Sequence, residues 1–302
     1  MQNSKYLLAL LVLGLLWGAS IPLAKIVVST GHPPLGLVFW QLVLGVVVLA
    51  SIAFFRKSNT SFRRRHVLFF TLVILFGTIF PDVLSFWILT HLPSGVVALA
   101  IATAPMFSLI IALKIGTEKF SFTRIIGLLL GALSVTMLIL PETSLPDSSK
   151  AIFVLLALLV PLSYSVEGNY LSVAQPQEFG PVATLLGASI AGLFIVLPLT
   201  LATGSFINPL ELQYGVPEIA LLATTLMHVA AYVGYIWLVA KAGAVFSAQI
   251  GYVVTISGVI LSVILLGENH SAWLWAALAL MVLALALVRP KKKPADDAIT
   301  TG

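Results

Sequence analysis

The sequence predicts an all-α polytopic membrane protein, ten transmembrane helices arranged as two inverted five-helix repeats with both termini in the cytoplasm. Three observations predict it. Ten apolar stretches fill the 302-residue chain almost from end to end, basic residues crowd one set of the breaks between them, and the two halves share a spacing of polar landmarks.

A helix needs roughly 20 apolar residues to cross a hydrocarbon core about 30 Å thick. The stretches that qualify are 6–28, 34–55, 67–90, 93–115, 121–140, 151–174, 180–203, 216–239, 243–266 and 271–288. Each must be helical, because coil or open strands would leave backbone groups unsatisfied in lipid. With 9% charged residues against the roughly 25% of a soluble domain, little sequence remains for a water-soluble unit. Function must therefore fall on the spans. The absence of cysteine excludes disulfides, thiolate catalysis and Cys-ligated metals. Only Lys5 flanks the first stretch, which is of full span length, so it reads as a retained span and not a cleaved signal.

Alternation divides the breaks into two sets. One holds Lys5, Arg56, Lys57, Arg63, Arg64, Arg65, Lys114, Lys119, Arg124, Lys241, Arg289, Lys291, Lys292 and Lys293, leaving only Lys25 and Lys150 of the 16 Lys+Arg for the other. Cytoplasmic breaks carry the basic excess, so both termini are expected there, with 290–302 as a basic, disordered cytoplasmic tail. Glu142, Asp147, Glu211 and Glu218 then fall outside. The net charge of +5 is thus a topology signal and points to no nucleic-acid partner. The run Arg56–His66 reads as an inside-facing anchor that touches anionic lipid headgroups.

A shift of 147 lays Trp17 on Tyr164 and Pro34 on Pro181; a shift of 150 lays Ile110 on Ile260, Glu118 on Glu268, Ser121 on Ser271 and Leu133 on Leu283. Residues 6–140 and 151–289 are the expected repeats. Five spans is an odd number, so the second repeat enters the membrane upside down. Inverted repeats are a transporter architecture, with the binding site near the midplane between the halves.

Leu15-Leu16-Trp17-Gly18 with Lys25 at the outer end of the first span, Ala104-Pro105-Met106-Phe107 and Thr117-Glu118-Lys119-Phe120-Ser121 around the fourth, and Leu266-Gly267-Glu268 closing the ninth carry a resemblance. Over roughly 6–289 the chain resembles the EamA type of the drug/metabolite transporter superfamily. The resemblance implies a ten-helix secondary transporter of a bacterial inner membrane, monomeric or homodimeric and without a cofactor. It further implies export of small metabolites such as amino acids by alternating access, with protons as a coupling ion or by facilitated efflux. Uptake of a nucleoside, vitamin or cofactor precursor on the same fold stays open. The chain departs from the family at Phe39-Trp40-Gln41, where an arginine is frequent, and at Tyr252-Val253-Val254-Thr255, where a proline is usual.

An ionisable side chain at the bilayer centre costs about 2.5–3.5 kcal/mol on insertion scales, which makes embedded charges candidates for function. Asp82 follows Pro81, about 22 Å from the cytoplasmic end of its span. It reads as a proton-coupling or amine-binding group, or as the structural partner of Lys25, which otherwise holds a substrate carboxylate. Glu167 lies about 24 Å from the outer end of the sixth span, on one face with Tyr164 and Gly168 and beside Asn169. The count places Asp82 and Glu167 toward opposite faces, one acid for each gate. His228 stands near the midplane with Tyr232 and Tyr235 on its own helical face. Together with Trp17 and Trp87 these rings predict an aromatic wall suited to a planar or partly apolar small-molecule substrate, and Gln249 and Tyr252 reach the same cavity from the ninth span. Trp40, Trp273 and Trp275 read as interfacial residues, Gly14, Gly18, Gly127 and Gly131 as close-packing positions, and Glu118 and Glu268 as caps or loop anchors. No Walker loop, HExxH, metal-ligand cluster or Ser-His-Asp spacing is present, so neither an ATPase, a metal site nor an enzyme is expected.

Overall fold

The structure, a computed structural model, describes residues 2–139, 150–212 and 214–287. The tail 290–302, with Glu142, Asp147, Arg289, Lys291, Lys292 and Lys293, lies outside the described residues. Among the described residues the regular structure is helical, without strands. Eight helical stretches are long and apolar enough to cross a membrane, and two shorter apolar helices stand at Phe122–Met137 and Ala272–Ala284.

Prolines start several spans, where a missing N–H costs nothing. Helix α2 (Pro34–Phe55) begins on Pro34 and α10 (Pro181–Ala202) on Pro181. Four expected spans are interrupted. The third is built as α3 (Val67–Ile74), a π turn (Leu75–Ile79) and α4 (Phe80–Leu89). Pro81 cannot donate to the preceding turn, and Ser163 Oγ donates to the Phe76 carbonyl at 2.7 Å within the π turn. The fourth divides into α5 (Ser94–Ile101) and α6 (Ala104–Lys114) just before Pro105. The sixth divides at Leu158, ahead of Pro161, into α8 (Ala151–Ala157) and α9 (Leu159–Ala174). The ninth divides into α12 (Ala244–Ser247) and α13 (Ile250–Leu266) without any proline. There Ser247 Oγ bonds the Gly243 carbonyl at 2.9 Å, and short i to i−3 bonds carry the chain through Gln249, Gly251 and Tyr252.

Packing exchanges the halves in a symmetric way. The first helix, α1 (Gln2–Val28), lies against α11 (Val216–Ala242) and α13 of the second half, and α9 lies against α4 and α6 of the first. Helix α2 pairs with its counterpart α10, and α7 (Phe122–Ile139) with α14 (Ala272–Leu287). Small residues set the α1–α13 separation: a Cβ on Gly18 would stand 1.9 Å from Ser257 Oγ. Polar side chains cross between the halves too, Ser134 Oγ to the Ala277 carbonyl at 2.7 Å and Thr255 Oγ1 to the Ala98 carbonyl at 2.9 Å. Such bonds average about 0.6 kcal/mol in membranes. The interleaved packing encloses a central cavity between α1, α4, α9, α11 and the broken spans.

Candidate functional site

Helical periodicity selects what the cavity sees. On α1 its lining is Trp17, Ser20, Ile21 and Ala24; on α4 it is Asp82, Ser85, Phe86 and Leu89; on α11 it is Thr224, His228, Tyr232 and Tyr235. Each set steps by three or four residues, one face of a helix. Helix α9 adds Tyr164, Ser165 and Glu167, and the broken ninth span adds Ser247, Ala248, Ile250, Gly251 and Val254. The cavity volume is about 140 Å³, close to that of an engineered apolar void, about 150 Å³, that takes up benzene.

Both acids belong to this one cavity. Asp82 Oδ2 accepts from Gln41 Nε2 at 2.6 Å, and its Oδ1 accepts from the Tyr164 hydroxyl at 3.1 Å. Glu167, one turn further along α9, accepts on Oε1 from the Tyr232 hydroxyl at 3.0 Å. Glycines make this approach possible. A Cβ on Gly77 would stand 1.8 Å from the Tyr232 hydroxyl oxygen and 3.1 Å from Glu167 Cγ, and one on Gly168 would stand 2.1 Å from the Tyr235 hydroxyl. Trp17 packs against the α11 rings, with centroids 6.2 Å from His228, 6.3 Å from Tyr232 and 5.6 Å from Tyr235. The buried Nε2 of His228 has no hydrogen-bond partner.

Several expected positions lie elsewhere. Asp82 and Glu167, counted toward opposite faces, both line this one cavity. The third span, Arg64–Leu89, is 26 residues long, about 39 Å of helix against roughly 30 Å of hydrocarbon, so depth counted from a span end overstates depth in the membrane. Lys25 does not meet Asp82. Its ammonium donates to the Leu89 carbonyl, the last of α4, and at 2.9 Å to the Leu92 carbonyl three residues beyond it. Trp87, 40% exposed, turns outward against His91 and Phe153. Asn169 faces α6, where its amide donates to Ser108 Oγ at 3.0 Å. Gln249 and Tyr252 sit beyond the cavity lining, and the buried Gln249 Nε2 has no hydrogen-bond partner. Gln41, Ser20 and Ser85 were not among the expected cavity residues, whereas Tyr164 lines it on the face it shares with Glu167. The i+3 relations of Ser20 to Trp17 and Ser85 to Asp82 carried the signal for two of the three.

The halves are also joined at both ends. At one end Glu268 accepts from the backbone N–H of Ser94 at 2.7 Å, from its hydroxyl at 2.9 Å and from the Gly95 N–H at 3.1 Å, capping α5. At the other, Glu178 accepts from Arg65 Nη2 at 2.7 Å, and Asn59 Nδ2 donates to the Glu178 carbonyl at 3.2 Å. His66 takes the Arg63 N–H bond on Nδ1, and its Nε2 accepts from Arg65 Nε at 2.9 Å and lies 2.9 Å from Glu178. Glu118, the repeat counterpart of Glu268, pairs inside its own half with Arg124 at 2.9 Å. Among the described residues no cluster of three or more metal-ligating side chains occurs.

Two inverted-looking halves around a polar central cavity raise the question of lineage. The EamA-like transporter family matches residues 4–140 and 151–289, one match for each half. The chain belongs to that family. This EamA-like chain matches no curated protein. It does share its fold with a solved crystal structure, at 20% identity and a TM-score of 0.62, over 94% of this chain and 96% of that one. Membership makes the chain a multi-pass membrane transporter of small solutes.

Proposed function

We propose that this EamA-like protein is a secondary transporter that exports small amphipathic metabolites, amino acids or related solutes, by alternating access around the central cavity. The units that move against each other are the two interleaved bundles, α1 with α11 and α13, and α9 with α4 and α6. Both termini face the cytoplasm of a bacterial inner membrane, as the crowding of Lys and Arg in one set of breaks directs. Protons act as the coupling ion through Asp82 and Glu167, and the chain performs no catalysis.

The observation that carries this reading is a cavity of about 140 Å³ between the halves, lined by two carboxyl groups, a histidine and an aromatic cluster. It has the size for one small organic solute. Its walls come from both repeats, so a rocking motion would open it to either side in turn. Reconstituted protein loaded with labelled amino acids and nucleosides tests the proposal. Expected is efflux of one class faster than from empty liposomes, accelerated by a pH gradient and lost in Asp82→Asn. Efflux indifferent to the gradient would remove proton coupling, and efflux no faster than from empty liposomes would remove transport of those solutes.

A further inference from the structure

We propose that the cavity selects solutes carrying an ammonium group and no carboxylate, seated with the charge at Glu167 and an apolar ring against Trp17, Tyr232 and Tyr235. The inference rests on the transport reading above and narrows its amphipathic solutes, putting amines without a carboxylate in place of amino acids.

Charge balance comes first. The described lining contains two carboxyl groups and neither lysine nor arginine. The nearest candidate cation, Lys25, is committed to the Leu89 and Leu92 carbonyls at and beyond the end of α4. A buried anion needs a charged partner or several donors to offset its desolvation. A substrate carboxylate entering here would meet two carboxyl groups and neither lysine nor arginine, with His228 Nε2 as the one unpartnered nitrogen of the described lining to receive it.

The two acids are not equivalent. Asp82 has both oxygens engaged, one by Gln41 and one by Tyr164. Glu167 has only Oε1 engaged, by Tyr232, so Oε2 is the carboxyl oxygen left to face a ligand's cationic head. Around it stand rings that attract cations. Tyr232 lies 6.2 Å from Tyr235 and 5.4 Å from His228, and Trp17 closes the group at 5.6–6.3 Å. An ammonium over the face of such a ring is drawn to its quadrupole, more strongly when desolvated. Hydroxyls of Ser20, Ser85, Ser165 and Thr224 on the same walls suit neutral polar substituents. A volume near 140 Å³ limits the body to about one ring with a short arm.

The test uses the full-length protein in proteoliposomes with three matched solutes: benzyltrimethylammonium, phenylalanine and 3-phenylpropionate. The quaternary ion is chosen because it does not leak through lipid as a neutral base. Counterflow of benzyltrimethylammonium is expected at least about tenfold above either carboxylate-bearing solute, about 1.4 kcal/mol of discrimination. Glu167→Gln is expected to lower it about tenfold, with partial recovery in Glu167→Asp. Phenylalanine or phenylpropionate moving as fast as the ammonium would overturn the inference and leave the transport reading standing. If nothing moves, calorimetry on the same protein separates the two. Tighter binding of the ammonium than of both carboxylates supports the site and counts against transport, and equal or absent binding overturns the inference. The wild-type panel decides the matter even if a Glu167 variant fails to fold.

Discussion

The two ends of the bundle are closed by different physics. At the Glu268 end the joining atoms are helix termini. A carboxylate with 13% of its side chain exposed takes two amides and a hydroxyl at the start of α5, and Lys25 takes the last carbonyl of α4 and that of Leu92 beyond it. These are groups that must be satisfied somewhere, since helix ends leave orphan amides and carbonyls. At the Glu178 end the joining atoms are side chains in loops, with Arg65 62% and Glu178 39% exposed. Exposed ion pairs contribute little to stability because water competes for both partners. Closure at the Glu268 end is therefore part of the fold, whereas closure at the Glu178 end can be exchanged for water at small cost. A carrier that opens first on one side needs this inequality.

The sharpest way to break the comparison is Glu268→Ala. It leaves three donors at the α5 terminus without their acceptor and should destabilise the protein by about 3 kcal/mol. A lowered unfolding midpoint in detergent is expected, and an unchanged midpoint would make the two ends alike. Lys25→Met comes next. Losing the bonds to Leu89 and Leu92 should cost about 1–2 kcal/mol, while the preference among charged solutes stays as in wild type. A changed preference would place Lys25 at the ligand after all. Glu178→Gln should have the smallest effect on the unfolding midpoint and a visible one on exchange rate.

The pH dependence of that last comparison has a definite sign. The Arg65 hydrogen bond, with the charges of Arg65 and His66 behind it and partial burial opposing, holds the Glu178 carboxyl below its ordinary value of 4.5. A depressed carboxyl contributes above its unfolded value and loses that contribution as pH falls through the folded one. The ratio of wild-type to Glu178→Gln exchange rates should thus move toward unity as pH falls below the ordinary carboxyl value of 4.5. A ratio that stays unchanged through that acid range would mean another group controls this end.

Much of the fold was legible because its punctuation is local. Pro33-Pro34 and Arg56-Lys57 bracket the second span, and α2 runs Pro34–Phe55 between them. Prolines 81, 105 and 161 mark three of the four interruptions. The fourth, at Ala248, has no proline, and a serine competing for a carbonyl is too common a pattern to announce it. Cavity faces follow the same rule: stepping three, four and seven residues from Asp82 gives Ser85, Phe86 and Leu89, and passes over Trp87. The pairing of Asp82 with Gln41 depends on how α2 and α4 are rotated against each other, which no single-helix pattern carries. The partner of Glu268 was hidden for the same reason, since Ser94 lies 174 residues away.

The π turn at Leu75–Ile79 works as a phase shifter. It holds one residue more than an α turn would, so everything after it is rotated by about 100° relative to an unbroken helix. That offset turns Asp82, Ser85, Phe86 and Leu89 toward the cavity while Phe70 and Ile74, before it, stay in the core. The stretch is consequently a place where geometry fixes the length and, outside Gly77, leaves the composition open. Exchanging one apolar residue for another there alters packing locally, whereas deleting one re-indexes a whole face of the transporter and withdraws Asp82 from Gln41 and Tyr164 at a stroke.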